Sequence, residues 1–127
     1  MEHLQTVCAV NNRSRILLQD EKYKIQGEPT EAALKVFAEK LAYNRGADGK
    51  LPFKTSATPF SDQISQKITK VATLDFSSER KCMSTIINGY NQFSNNVVLL
   101  KGAPERVIEK CNSVTNNKLN KIPLTDS

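Results

Sequence analysis

"LLKGAPERVIEKC", residues Leu99–Cys111, passes from an apolar, strand-like run through Lys101-Gly102 into a segment that a proline opens as a helix. Proline is tolerated in a first helical turn, where its missing N–H costs no intrahelical bond. A strand delivering directly into a helix predicts a layered fold of both element types. Glycine at the turn lets backbone come close to a ligand, and lysine offers a point charge on a flexible stem. The pair suggests a phosphate or nucleotide site, although a turn also uses glycine and proline for structural reasons alone.

Working outward, "KITKVATLDFSS" (67–78) alternates. Ala72, Leu74 and Phe76 share one face, with Val71, Thr73 and Asp75 on the other, which predicts a strand. "RKCMSTII" (80–87) continues as a second strand and "VVLLKG" (97–102) as a third. Asn88-Gly89 invites a two-residue hairpin, but the next apolar run begins only at Val97, so a longer loop is expected. "APERVIEKC" predicts a helix with Val107, Ile108 and Cys111 inward, and "NKLNKIPL" (117–124) a last short strand.

Toward the N-terminus, "EHLQTVCAV" (2–10) reads as a short helix with Leu4, Val7 and Cys8 at i, i+3, i+4, ended by "NNRS". "RILLQDEKYKIQG" (15–27) reads as two short strands, or one strand and a turn. "GEPTEAALKVFAEKLAYNRG" (27–46) is the clearest helix. Pro29 sits in its first turn, and Glu28 and Glu31 lie near the positive end of its dipole. Leu34, Phe37 and Leu41, with Ala33, form its expected inner face, and Gly46 stops it. Residues 47–65 are polar and carry Pro52 and Pro59, as in an exposed loop or insertion with room for a short helix at its end. The expected fold class is α/β (α+β), a twisted, mainly antiparallel sheet flanked by helices.

A chain of 127 residues with 39% hydrophobic content is one domain by length. Eighteen basic against thirteen acidic residues give a net charge of +5, which favours anionic partners. The cations are scattered, however, and no Trp accompanies the three Tyr and five Phe, so an RNA-stacking platform is not expected. Cys8, Cys82 and Cys111 are widely spaced and His3 is the single histidine. That pattern excludes a zinc site and a disulfide framework and fits a reducing, cytosolic setting. The longest apolar run, Val97–Leu100, is too short to span a bilayer, and no signal-peptide pattern is visible.

Three stretches now stand together in order: "GEPTEAAL" (27–34), "LDFSSERKCMS" (74–84) and "KGAPE" (101–105). Jointly they resemble the nucleotide-binding (N) domain of P-type ATPases, most closely calcium pumps of the sarco/endoplasmic reticulum type. "EHLQTVCAVNN" and "VIEKCN" are similar to the same family, and the resemblance covers most of the chain outside 47–65. It implies a single cytosolic ATP-binding headpiece of a multi-pass parent on the cytosolic face of an endomembrane, that of the endoplasmic reticulum. The parent would use Mg-ATP and transport calcium, which is not bound by this domain. Carried over, Phe76 would stack on adenine, and Glu31 would accept a hydrogen bond from its amino group. Lys81 and Lys101 would line the pocket, with Gly102 admitting the base. The implied partners are the phosphorylation and actuator domains of the same parent chain. The fragment is expected to be monomeric, with no nucleic-acid partner and no catalytic or metal-binding residue of its own.

The resemblance has departures. Calcium pumps of the family usually carry arginine two residues after the stacking phenylalanine, where this chain has Ser78. The phosphorylated aspartate with its Lys-Thr-Gly-Thr run is missing, and none of Asp20, Asp48, Asp62, Asp75 or Asp126 has that context. The family's later arginine-containing strand would lie beyond Ser127. The closing "TDS" has helix N-cap chemistry, as in a chain cut from a longer protein. The fragment is therefore not expected to hydrolyse ATP by itself.

Unaided chemistry agrees with an adenine site, which needs a flat apolar face, a few polar atoms at the edge and a small residue for close approach. Each residue also has a plainer reading. Phe76 shares a strand face with Leu74 and could be core, while Glu31 could simply favour the helix dipole. Arg80 and Lys81 could be solvated strand ends, and Cys82 and Cys111 small hydrophobes. Two other functions compete: a basic nucleic-acid-binding domain, favoured by net charge alone, and a stand-alone phosphotransferase. Absence of a P-loop, a catalytic histidine or a clustered carboxylate pair argues against the second.

Overall fold

Asp20 and Glu21 both adopt positive φ, 49° and 60°, the signature of the two-residue turn whose twist matches a hairpin. They join β1 (Arg15–Gln19) to β2 (Lys22–Gln26) in antiparallel register, Gln19 opposite Lys22. The computed structural model describes residues 2–45, 56–90 and 95–124. Helix α1 (Glu2–Val10) precedes the hairpin, and α2 (Pro29–Arg45) and α3 (Pro59–Lys67) follow it. Strands β3 (Thr69–Leu74), β4 (Cys82–Asn88) and β5 (Val97–Gly102) form the central sheet in that order, antiparallel throughout. Helix α4 (Pro104–Ile108) and a terminal hairpin of β6 (Ser113–Thr115) and β7 (Lys121–Pro123) complete the order. The α+β class is as expected, but the strands divide among three antiparallel sheets.

Alternation along the central sheet sorts its two faces. Met83, Thr85 and Ile87 of β4 stand opposite Lys101, Leu99 and Val97 of β5 on the inner face. Ile87 and Leu99 there join Cys8, Ala9 and Val10 of α1, Ala38 of α2, Ile68 and Tyr90 in one core, with Phe60 and Ile64 of α3 packed against it. The outer face is sparsely covered: Leu74 and Val98 are exposed, and Arg80 lies across Ser84, donating to its Oγ at 3.0 Å. Arg80 is thus a packed side chain rather than a solvated strand end.

Several inner faces differ from expectation. On α2 the buried positions among the described residues are Ala32, Ala38 and Glu39, while Phe37 is 42% exposed and Leu34 only partly buried. Small side chains let α2 lie close against α1. Glu39, 5% exposed, is buried because its carboxylate caps α3. It accepts from the N–H groups of Phe60 (2.9 Å) and Ser61 (2.8 Å) and from the Ser61 hydroxyl (2.7 Å), satisfying donors that a helix N-terminus leaves unpaired. The short helix expected at the end of the 47–65 segment is therefore present and anchored, with Pro59 and Ser61 buried. Residues 46–55, including Gly46 and Pro52, lie outside the described residues. Leu4, Ile108 and Cys111 are exposed rather than inward, because α1 turns its Cys8–Val10 end to the core and α4 is only five residues long. Strand β6 was not expected, and β3 ends at Leu74, so Phe76 leaves the strand.

Polar residues tie these layers together. Asn11, 0% exposed, donates its side-chain amide to the carbonyls of Met83 and Leu99, both at 3.1 Å, and accepts from the Thr85 hydroxyl at 2.9 Å. Asn12 donates to the carbonyls of Cys8 (3.0 Å) and Glu31 (2.7 Å) and accepts from the Ser14 N–H (2.9 Å). Buried polar groups left without partners cost about 1–3 kcal/mol each. Asn11→Ala strands three such groups at the α1–sheet junction and is expected to destabilise the fold by about 3 kcal/mol. Urea denaturation compares it with Asn11→Asp, which retains the Thr85 contact while losing both donated bonds.

Candidate functional site

Helix α2 begins at Pro29, so Glu31 lies in its first turn, where the partly positive helix terminus favours a carboxylate. Lys101 is the last inward-pointing residue of β5, two positions beyond the core residue Leu99. The two meet: Lys101 Nζ donates to Glu31 Oε1 at 2.5 Å, with side-chain exposures of 20% and 17%. Glu31 Oε2 accepts from the Arg13 N–H at 3.2 Å. The Glu31 carboxylate is thereby fixed at one oxygen by a cation and held more loosely at the other.

The turn between β3 and β4, residues 75–81, carries Phe76. Arg13 grips Asp75 at its start with two parallel bonds, Nε to Oδ1 at 2.7 Å and Nη2 to Oδ2 at 3.0 Å. Inside the turn, the Arg80 N–H donates to the Ser77 hydroxyl at 3.2 Å and the Lys81 N–H to the Ser77 carbonyl at 2.7 Å. Arg80 also reaches the Asp75 carbonyl at 3.2 Å. At the far end Lys81 takes a left-handed conformation, φ 51°, and its carbonyl accepts from the Ala103 N–H at 2.9 Å. Held at both ends, the turn presents the Phe76 ring at 62% exposure. The core reading of Phe76 does not apply.

Gly102 stands opposite Cys82 in the β4–β5 register. A Cβ there would lie 2.4 Å from the Lys81 carbonyl oxygen and 2.5 Å from Cys82 Cβ. Close approach of the Lys81 carbonyl therefore requires glycine, and the direction a side chain would take is filled by β4. The five residues singled out from the sequence are linked by a run of hydrogen bonds and peptide-bonded neighbours. It passes from Phe76 and Asp75 through Arg13 to Glu31 and Lys101, then to Gly102 and Lys81. Arg13 is the linking residue that sequence reasoning missed.

Charge around the site is uneven. Hydrogen bonding to Arg13, reinforced by its charge, holds the Asp75 carboxyl below its ordinary value, and the same bond raises the Arg13 guanidinium. Burial raises the Cys8 thiol, partly countered by the Lys101 charge. Among the described residues no group of three or more His, Cys, Asp or Glu side chains is placed to hold a metal ion, and no helix is long and apolar enough to cross a membrane.

The amino-acid sequence as a whole matches a known family. The profile of P-type ATPase cytoplasmic domain N covers residues 1–127, and the chain belongs to that family. It is similar to the calcium-transporting ATPase 2, endoplasmic reticulum-type, of Arabidopsis thaliana, with 31% identity over 127 aligned residues. The match takes in 87% of this chain and 11% of that relative, so the chain spans about one tenth of the relative's length.

The Arg13–Asp75 pair yields a pH expectation. The folded-state value of Asp75 lies below its ordinary 3.8, so the pair's contribution is present above that value and is lost as pH falls through the lowered one. Carbon-detected NMR titration of the Asp75 carboxyl should show its midpoint rising toward the ordinary range in Arg13→Ala. The Phe76 amide should shift with it, and an unmoved Asp75 midpoint would show that the clamp is not formed in solution.

Proposed function

We propose that this chain is the ATP-binding domain of a P-type calcium-transporting ATPase, holding adenosine through Phe76, Glu31, Lys81 and Lys101, with Gly102 fixing the turn that carries Phe76. The observation that carries this reading is the Phe76 ring, displayed to solvent on a turn whose start is bound to the same arginine that touches Glu31. An exposed aromatic on a fixed backbone is a stacking platform, and stacking on a base contributes about 1–3 kcal/mol. The acceptor set also fits adenine. Glu31 Oε1 is engaged by Lys101, whereas Oε2 receives one longer bond from the Arg13 N–H and keeps lone-pair capacity for an exocyclic amino group. Lys101 holds the carboxylate oriented, and exposed Lys81 flanks the site with a second cation.

Family membership extends the proposal to the parent protein. There, ATP supplies the phosphoryl group, as the magnesium complex, and this domain positions the nucleotide so that an aspartate on a neighbouring phosphorylation domain can be modified. Catalysis of that kind rests on positioning and electrostatics. The chain itself contributes no catalytic group. It works as a single unit against the phosphorylation and actuator domains of its parent. By likeness to the endoplasmic reticulum-type relative, it faces the cytosol from an endomembrane and serves calcium transport.

Affinity should then reside in adenosine. AMP, ADP and ATP are expected to bind within a few-fold of one another, under about 1 kcal/mol apart, with dissociation constants on the order of millimolar. GTP should bind more weakly, because its O6 acceptor would face the Glu31 acceptor. Glu31→Gln should narrow that preference, since an amide can donate to O6. Phe76→Ala should weaken AMP binding by about 1–3 kcal/mol while leaving the melting curve nearly unchanged, as expected for an exposed side chain. Amide chemical-shift titration with the four nucleotides measures all of these. Binding of ATP without binding of AMP would place the anchor on the phosphates and overturn the assignment.

A further inference from the structure

A concavity lined by neither Phe76 nor Gly102 is bordered by β1, α2, α3 and β3. It is an open, largely polar cleft of about 570 Å³. Three cations border it, each from a different element: Arg15 of β1, Lys35 of α2 and Lys70 of β3. Ser61 and Ser65 lie on its α3 side, and among the described residues Asp62 is its only carboxylate.

The neighbouring carboxylates are already engaged. Glu31 pairs with Lys101 and Asp75 with Arg13, and Glu39 is occupied by the first amides of α3. Asp62 accepts from the hydroxyls of Ser56 and Thr58. Among the described residues, Arg15, Lys35 and Lys70 form no ion pair, and Lys35 Nζ donates only to the neutral Ser14 carbonyl, at 2.8 Å. Their electrostatics reflect the imbalance. Burial lowers the Lys35 ammonium, and the Lys70 charge lowers it further, against weaker opposing effects of Glu39, Asp62 and Glu31. Burial likewise lowers Lys70, with Arg13 and Lys101 adding to the effect. Like charges gathered around a hydroxyl-lined space are relieved by an anion placed among them.

We propose that this cleft binds a phosphate group, received by Lys35, Lys70 and Arg15 and by the Ser65 hydroxyl. Three cations around one centre suit a multiply charged oxyanion better than a single carboxylate, because each can meet a different oxygen. The space exceeds that of a bare phosphate and leaves room for the moiety that carries it. None of the adenine-site residues lines the cleft, so this inference stands whether or not the nucleotide reading does.

The test is a titration of the labelled chain with inorganic phosphate at constant ionic strength, with chloride as the balancing anion. Saturable amide shifts are expected at Ser61, Ser65 and Lys70, together with upward movement of the Lys35 and Lys70 ammonium titrations. Lys70→Gln, which removes no hydrogen bond seen among the described residues, should weaken phosphate at least tenfold. Asp62→Asn should strengthen it severalfold by removing the opposing charge. Should Lys35→Gln fail to fold through loss of its Ser14 contact, Lys70→Gln and Arg15→Gln still decide the question. Shifts that never saturate, that chloride alone reproduces, or that persist undiminished in Lys70→Gln would overturn the proposal. ATP added to the phosphate-loaded chain identifies the source. Displacement in the wild type but not in Phe76→Ala assigns the phosphate to the nucleotide tail, and no displacement assigns it to a separate phosphorylated solute.

Discussion

One buried side-chain amide, that of Asn11, joins the helical layer to the sheet. Its two N–H groups meet the carbonyls of Met83 on β4 and Leu99 on β5, and its oxygen takes the Thr85 hydroxyl. A neutral amide suits this place because it can donate twice and accept without burying a charge. Asn12 performs the matching task toward α2 through the Glu31 carbonyl. Ser14 then anchors the start of the hairpin, its hydroxyl donating to the Glu28 carbonyl at 2.8 Å. Gly27, at φ 104°, leaves room for Ser14, which a Cβ would meet at 3.0 Å. Between these fixed points only Arg13 is free to reach outward. The position of Arg13, and through it the relation of Glu31 to Asp75, follows from its buried neighbours.

That junction also explains what was legible in the sequence and what was not. Periodicity and turn chemistry located α1, α2 and all three central strands, and gave the first hairpin as one of two readings, because each carries its own local signal. Inner faces were harder to read. Hydrophobic periodicity assigns burial to Leu and Phe, whereas α2 is buried on Ala32, Ala38 and the capping carboxylate of Glu39. Gln5, Thr6, Asn11, Asn12 and Thr85 are all buried with hydrogen-bond partners at long sequence separation, and no local pattern announces such partners. "NNRS" reads as a polar helix terminator, which it is, but its tertiary role depends on carbonyls more than seventy residues away. Strand β6 is three residues long and is set by a turn in which the Asn116 side chain accepts from the N–H groups of Lys118 and Asn120.

The candidate site divides along the same line. Its residues were reached through the joint occurrence of three motifs, since Glu31 and Lys101 lie seventy positions apart and neither shows its partner locally. The display of Phe76 was not legible from alternation, which extended the strand two residues too far and placed the ring beside Leu74. The backbone leaves the strand at Asp75 because that side chain is drawn to Arg13 and the chain must turn back to β4 within seven residues, 75–81. Ser77 closes the turn through its hydroxyl and carbonyl, a local chemistry typical of such residues. Ser78 remains exposed on this turn. Arg13 brings a guanidinium to the same turn from the other side, although it is committed to Asp75.

Lys101 and Gly102 share one turn but act in different directions. Side-chain alternation turns Lys101 inward from the end of β5, where the core gives way to the first turn of α2, and its charge finds Glu31 there. A lysine at this depth needs a partner, and the carboxylate at a helix N-terminus supplies one. Gly102, one residue later, faces the opposite side, where the Lys81 carbonyl must come close enough to accept the Ala103 N–H. That bond fixes both the start of α4 and the far end of the Phe76 turn. A larger residue at 102 would push Lys81 away and loosen the turn from its C-terminal side, just as loss of Arg13 would loosen it from the other. Glycine at this position therefore serves the proposed nucleotide site through backbone geometry: the close approach it permits is between two parts of the chain itself, and the turn that displays Phe76 is held in place as a consequence.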